Sequence, residues 1–178
     1  MKVAINLILF QAGWFVTVIG VANQSEWIAI TCVWMILSTH LYIVTDRQTE
    51  LLLIIVAGVM GFIIDSVLIS QELFSAAGNI GFKGMAPLWL IALWMLFAST
   101  VNHSLGWLKG RYMTAGSLGF IFAPLAYVAG DKFGVLTIST DYSMYQVLLV
   151  IGLVWAVATP LLLLISHAST SNQPIMSS

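Results

Sequence analysis

Glu50–Ser70 reads ELLLIIVAGVMGFIIDSVLIS, an apolar run in which Asp65 is the only ionisable residue after Glu50. At 1.5 Å rise per residue, a helix of about 20 residues crosses the hydrocarbon core of a bilayer. Five more runs of similar length flank it: Val3–Ala22, Glu26–Val44, Pro87–Trp107, Tyr112–Gly130 and Met144–Ser166. Short connections between the first and second, second and third, and fourth and fifth runs force antiparallel neighbours. The predicted fold is all-α, a polytopic membrane bundle of about six transmembrane helices. It occupies residues 1–167 and is followed by a polar tail, 168–178, expected to be disordered.

Composition agrees. Of 178 residues, 60% are hydrophobic and 7% charged, against about 25% charged in an ordinary soluble domain. With six Lys/Arg, seven Asp/Glu and a net charge of −1, the chain offers no basic surface for nucleic acid. Cys32 is the single cysteine, which excludes disulfides and thiolate metal clusters and leaves a small apolar filler. Lys2, the apolar stretch after it and the small residues Gly20 and Ala22 resemble a signal peptide. That run is long enough to span, however, and Gln11 interrupts its centre, so it is read as the first span.

Orientation follows from the cations. Lys2, Arg47, Lys109 and Arg111 fall on one side of a six-span chain, Lys83 and Lys132 on the other, which predicts both termini in the cytoplasm. Trp27, Trp89 and Trp107 sit at span ends and fit an interfacial belt. Trp14, Trp34, Trp94 and Trp155 fall near mid-span, where an indole N–H needs a partner or a cavity. Pro87 suits a first helical turn, whereas Pro124 and Pro160 are expected to kink or locally unwind their spans. On the fifth span Ala115, Gly116, Gly119, Ala123, Ala126 and Gly130 share one face; close backbone approach there predicts a helix at the bundle centre. The loop Gln71–Ala86, rich in glycine, reads as a flexible outer cap. No internal repeat supports an inverted-repeat transporter.

Intramembrane ionisable groups mark the candidate sites. Asp65 shares a helical face with Gly58 and Gly61, so its carboxylate looks toward a close neighbour, either as a functional acid or as a hydrogen-bonded staple. His40 and His103 lie at similar depth near the inner ends of their spans, His103 between Asn102 and Ser104. With Gln11 and Trp14 on the first span they are expected to form an inner-half polar pocket. No metal site is expected, because two histidines lack a third strong ligand at that depth and no H-x-x-x-H or H-E-x-x-H occurs. No cofactor fingerprint, P-loop or nucleophile elbow is present either. The candidate binding residues are thus Asp65, His40, His103, Asn102, Gln11 and Trp14, and the only catalytic candidates are His103, as acid or base, and Asn102, as its orienter.

Phe10-Gln11-x-Gly13-Trp14-Phe15, Asp65-Ser66, Pro87-x-Trp89-x4-Trp94-x2-Phe97-Ala98-x-Thr100-x-Asn102-His103-Ser104-Leu105 and Pro124-Leu125-Ala126-Tyr127-x2-Gly130 together resemble a family of uncharacterised bacterial inner-membrane proteins, a domain of unknown function. The resemblance covers nearly the whole chain. It implies a bacterial inner-membrane location and carries over no functional residue. Three readings follow. The first is a non-enzymatic protein that binds membrane lipids or another membrane protein. The second is a small transporter or flippase using Asp65 and the His40/His103 region. The third is an intramembrane enzyme acting on a lipid-soluble substrate.

Overall fold

The structure, a computed structural model, describes residues 3–78 and 80–171. Six helices follow one another: α1 (Val3–Ala22), α2 (Glu26–Ile43), α3 (Arg47–Ser70), α4 (Leu88–Val101), α5 (Tyr112–Lys132) and α6 (Met144–Ser171). A 3₁₀ turn, Gly106–Leu108, joins α4 to α5, and two short strands, β1 (Phe74–Ala76) and β2 (Leu136–Ile138), lie in the loops before α4 and α6. All helices but α4 are long and apolar enough to cross a membrane. The chain is a multi-pass membrane helix bundle.

Tight connections set the hairpins. Gln24 takes φ 58° between α1 and α2. Asp46 closes the turn into α3, its side chain accepting from the Thr49 N–H at 3.2 Å. The α6 helix runs past the expected Ser166 to Ser171, and the remainder of the expected polar tail, 172–178, lies outside the described residues.

The fourth span departs most from expectation. The sequence predicts Pro87–Trp107, yet the helix covers 14 residues and ends at Val101. That is about 21 Å of helix, short of the ~30 Å hydrocarbon core. The cause lies in the polar run Thr100–Ser104: the Thr100 carbonyl accepts from both the His103 and Leu105 N–H groups, which turns the chain out of the helix. What α4 lacks in length it gains in enclosure. It packs against α1, α2, α3 and α6, and only Leu88 of its residues is exposed.

It is therefore α4, not α5, that occupies the bundle centre. The small-residue face of α5 packs instead along α6, its chief neighbour, while Ala126 of that stripe is exposed. Both helices remain helical through Pro124 and Pro160 rather than unwinding. Each proline frees the carbonyl four residues earlier, and each freed oxygen faces a glycine of the partner helix. A Cβ on Gly152 would lie 3.0 Å from the Phe120 carbonyl, and one on Gly116 would lie 2.8 Å from that of Ala156. Glycine admits these carbonyls to within reach of Cα–H contacts, which meets part of the lost bonding.

At the end of the bundle opposite the termini, β1 and β2 pair antiparallel in the register Phe74↔Ile138. The Gln71–Ala86 loop is consequently tied down rather than a free cap. The Ala86 N–H donates to Ser66 Oγ at 3.0 Å, and the Trp89 indole donates to the Ala77 carbonyl at 2.7 Å. Trp89, expected in the interfacial belt, is buried by that loop, while Trp27 and Trp107 are exposed as expected. Trp34, expected to need a partner or cavity, is exposed on the outer face of α2.

Candidate functional site

The buried polar residues include one group at the end of the bundle that holds the termini and another around Asp65. At the end that holds the termini, α2 and α3 are joined by Val44–Asp46. His40 lies one turn before this connection and Glu50 one turn after it, which sets the two side chains face to face. His40 Nε2 lies 3.0 Å from Glu50 Oε2, and His103 Nε2, from the turn after α4, lies 3.2 Å from Glu50 Oε1. The two imidazoles stand edge to face with centroids 5.0 Å apart. His40 and Glu50 are buried, and the His103 side chain keeps 15% exposure. One ligand atom from each of the three residues falls within 4.8 Å of the other two.

Glu50 is the member that sequence reasoning missed. In the sequence it stands as the first residue of the span Glu50–Ser70, and the histidines have no third ligand there. The hairpin supplies the signal: His40 precedes the end of α2 by the same three residues by which Glu50 follows the start of α3. Asn102 does not orient His103. Its amide oxygen accepts from the Ser166 hydroxyl, which ties the turn to α6. Asn6, also overlooked, braces the same turn from α1, donating to the Ser99 carbonyl at 3.0 Å and accepting from Ser104 Oγ at 2.7 Å. Gln11 and Trp14, expected to join the histidines, line a separate cavity.

That cavity, of about 550 Å³, lies among α1, α4, α5 and α6. Its walls are aliphatic and aromatic, with Trp94 and Trp155 stacked at 4.1 Å and Phe97 edge-on to Trp155 at 5.3 Å. Phe15 on α1 and Phe122 and Leu125 on α5 line it and are also exposed, so its mouth opens on the flank of the bundle between those helices. Trp14 and Phe15, both lining residues, meet Phe133 edge-on at 6.2 and 6.4 Å. Gln11 and Thr159 are the polar lining residues besides tyrosine and tryptophan. The Thr159 hydroxyl oxygen is buried with no hydrogen-bond partner among the described residues.

Behind this wall sits Asp65, fully buried on α3. Its Oδ2 accepts from Trp94 Nε1 at 2.7 Å and its Oδ1 from the Tyr127 hydroxyl at 2.6 Å, and both donors line the cavity. Gly61 lets α3 and α4 approach closely enough for this, since a Cβ there would collide with the Trp94 indole. Residues 3–161, which include Asp65, the cavity lining and the His40–Glu50–His103 cluster, match the family described as a protein of unknown function (DUF2878). The chain belongs to that family. No curated protein and no solved structure matches it.

Within this DUF2878 chain the sequence candidates divide into two sets. His40 and His103 come together around Glu50, and Asn102 lies next to them in the chain but bonds elsewhere. Trp14 and Gln11 line the cavity, and Asp65 stands directly behind it. Between the two sets lies an apolar layer that includes Ile54, Ala57, Leu96 and Ala98, all buried.

Proposed function

We propose that this protein binds the apolar chain of a membrane lipid, or of a lipid-soluble molecule, in the cavity among α1, α4, α5 and α6. The cavity itself carries the reading: about 550 Å³ falls within the ~300–1,000 Å³ of small-ligand sites. Its mouth faces the flank of the bundle, where the surrounding solvent is acyl chain. An apolar space left empty forfeits the dispersion contacts of its lining, so a chain from the bilayer fills it.

Transfer from bilayer to cavity brings no hydrophobic gain, because lipid tails are as apolar as the wall. Preference for one ligand over bulk lipid must come from fit against the fixed indoles and from the polar handles. Asp65 supports the first by holding Trp94 and Tyr127. Thr159 and Gln11 support the second, offering a hydroxyl and an amide to a ligand hydroxyl or carbonyl. The binding role is non-enzymatic, and the family resemblance supports a bacterial inner-membrane location. The transporter reading needs a polar route from Asp65 to the histidines, and the apolar layer between them speaks against one.

The test is lipid analysis of the full chain purified in mild detergent, compared with Ala126→Trp. Ala126 lines the cavity and is exposed, so an indole there fills the mouth without overpacking the α5–α6 seam. The proposal expects one lipid class enriched on the wild type and depleted on the variant. Identical lipid content and composition in the two would overturn it.

A further inference from the structure

We infer that His40, Glu50 and His103 form a binding site for a divalent first-row transition-metal ion. This site is separate from the lipid cavity, and the inference stands whether or not the cavity binds lipid.

Geometry is the first support. Imidazole nitrogens and carboxylate oxygens bind such ions at about 2.1 Å, which sets adjacent ligand atoms about 3.0 Å apart in an octahedron and about 3.4 Å apart in a tetrahedron. Two of the separations, 3.0 Å from Glu50 Oε2 to His40 Nε2 and 3.2 Å from Glu50 Oε1 to His103 Nε2, fall on that edge length, and one ligand atom from each of the three residues lies within 4.8 Å of the others. Three different elements supply the ligands: the end of α2, the start of α3 and the turn after α4. They converge without the H-x-x-x-H spacing that a single helix would need.

The second support is an unmet group. His103 Nε2 is buried and has no hydrogen-bond partner among the described residues, although Glu50 Oε1 lies 3.2 Å away. The approach is close enough for an ion pair, and the pair does not meet hydrogen-bond geometry. A staple of two imidazole–carboxylate hydrogen bonds would align both nitrogens on the acid. A shared cation placed between them asks for the convergence seen here and not for that alignment.

Charge is the third. Glu50 is a buried carboxylate, and the two histidines are its only ion-pair partners among the described residues. A buried charge of this kind needs a counter-charge nearby. A divalent ion held by two neutral imidazoles and one carboxylate supplies it. Three protein ligands leave one or more positions to water, the arrangement of open rather than closed metal sites. His103, partly exposed, gives access from the end of the bundle that holds the termini. Mixed imidazole and carboxylate donors suit Zn²⁺, Fe²⁺ and Co²⁺.

The experiment uses the full chain in detergent, purified with a tag that contains no histidine, stripped with EDTA, loaded with Zn²⁺ or Co²⁺ and desalted. The wild type is expected to retain one ion per chain and to show visible Co²⁺ absorption. His103→Ala and Glu50→Gln should lose about tenfold or more in affinity. His167→Ala, altering an exposed histidine on α6, should bind as the wild type does. Zn²⁺ should also raise the melting temperature of the wild type but not of His103→Ala. A folded wild type that retains no ion after loading overturns the inference. So does equal metal retention by the wild type and His103→Ala. If Glu50→Gln fails to fold, the His103→Ala comparison decides alone.

Discussion

The Trp94 indole N–H donates to Asp65 Oδ2 at 2.7 Å across the α3–α4 contact, and the other carboxylate oxygen takes the Tyr127 hydroxyl of α5 at 2.6 Å. One buried acid thus sets the positions of two aromatic side chains on two helices, and both belong to the cavity wall. Trp94 in turn stacks on Trp155 of α6. The chain of contacts Asp65–Trp94–Trp155 fixes the shape of the cavity by a polar anchor placed behind an apolar surface.

Removing that anchor should cost stability in a graded way. Asp65→Ala strands two buried donors, at about 1–3 kcal/mol each. Tyr127→Phe strands only one buried partner, Asp65 Oδ1, at about 1–3 kcal/mol in all. Asp65→Asn keeps an acceptor for Trp94 and should fall between the two. Unfolding in detergent checks the order, and equal stability of Asp65→Ala and the wild type would show that the network contributes nothing.

The α5–α6 seam should tolerate no added bulk. Gly116→Leu and Gly119→Leu drive side chains into the Ala156 and Trp155 carbonyls, which should destabilise by roughly 1–3 kcal/mol through overpacking. Ala126→Leu, on the exposed edge of the same helix, should change stability by less than about 0.5 kcal/mol. A melting series that ranks these variants otherwise would contradict the seam.

Orientation is open to a direct check. Arg47, Lys109 and Arg111 lie in or beside connections at the end that holds the termini, Lys83 and Lys132 at the opposite end. The excess of cations predicts that the first end is cytoplasmic. Reporter fusions after Gly110 and after Phe133 should read inside and outside respectively, and the reverse pair would invert the assignment.

Five of the six helices are legible as long apolar runs, because a span must satisfy its own backbone and so announces itself by length. The fourth is less so. Its hydropathy continues past Val101, but the Thr100 carbonyl takes the N–H groups of the following turn while Asn102 and Ser104 bond to Ser166 and Asn6 on other helices, and hydropathy registers none of this. The small-residue stripe of α5 foretells close packing but not its partner, since the same face would suit α4 or α6. The similar depth of His40 and His103 is readable from their distances to span ends. Glu50 is not, because an acid at a helix start has an ordinary capping role there, and only the hairpin geometry turns it toward His40. Gln11 illustrates the converse: similar depth gives no azimuth, and α1 presents that residue to the cavity instead.

The most direct measurement is photolabelling in native membranes with a lipid carrying a diazirine on its acyl chain, followed by mass-spectrometric mapping of the labelled residues. Val18 and Leu90 line the cavity and are buried from the outer surface of the bundle, whereas Val59 and Val157 are exposed on its outside. Bulk lipid reaches only the second pair. Label is expected on Val18 or Leu90 in the wild type and is expected to be lost in Ala126→Trp, with Val59 and Val157 labelled equally in both. Label confined to Val59 and Val157 in the wild type would contradict a lipid-binding cavity.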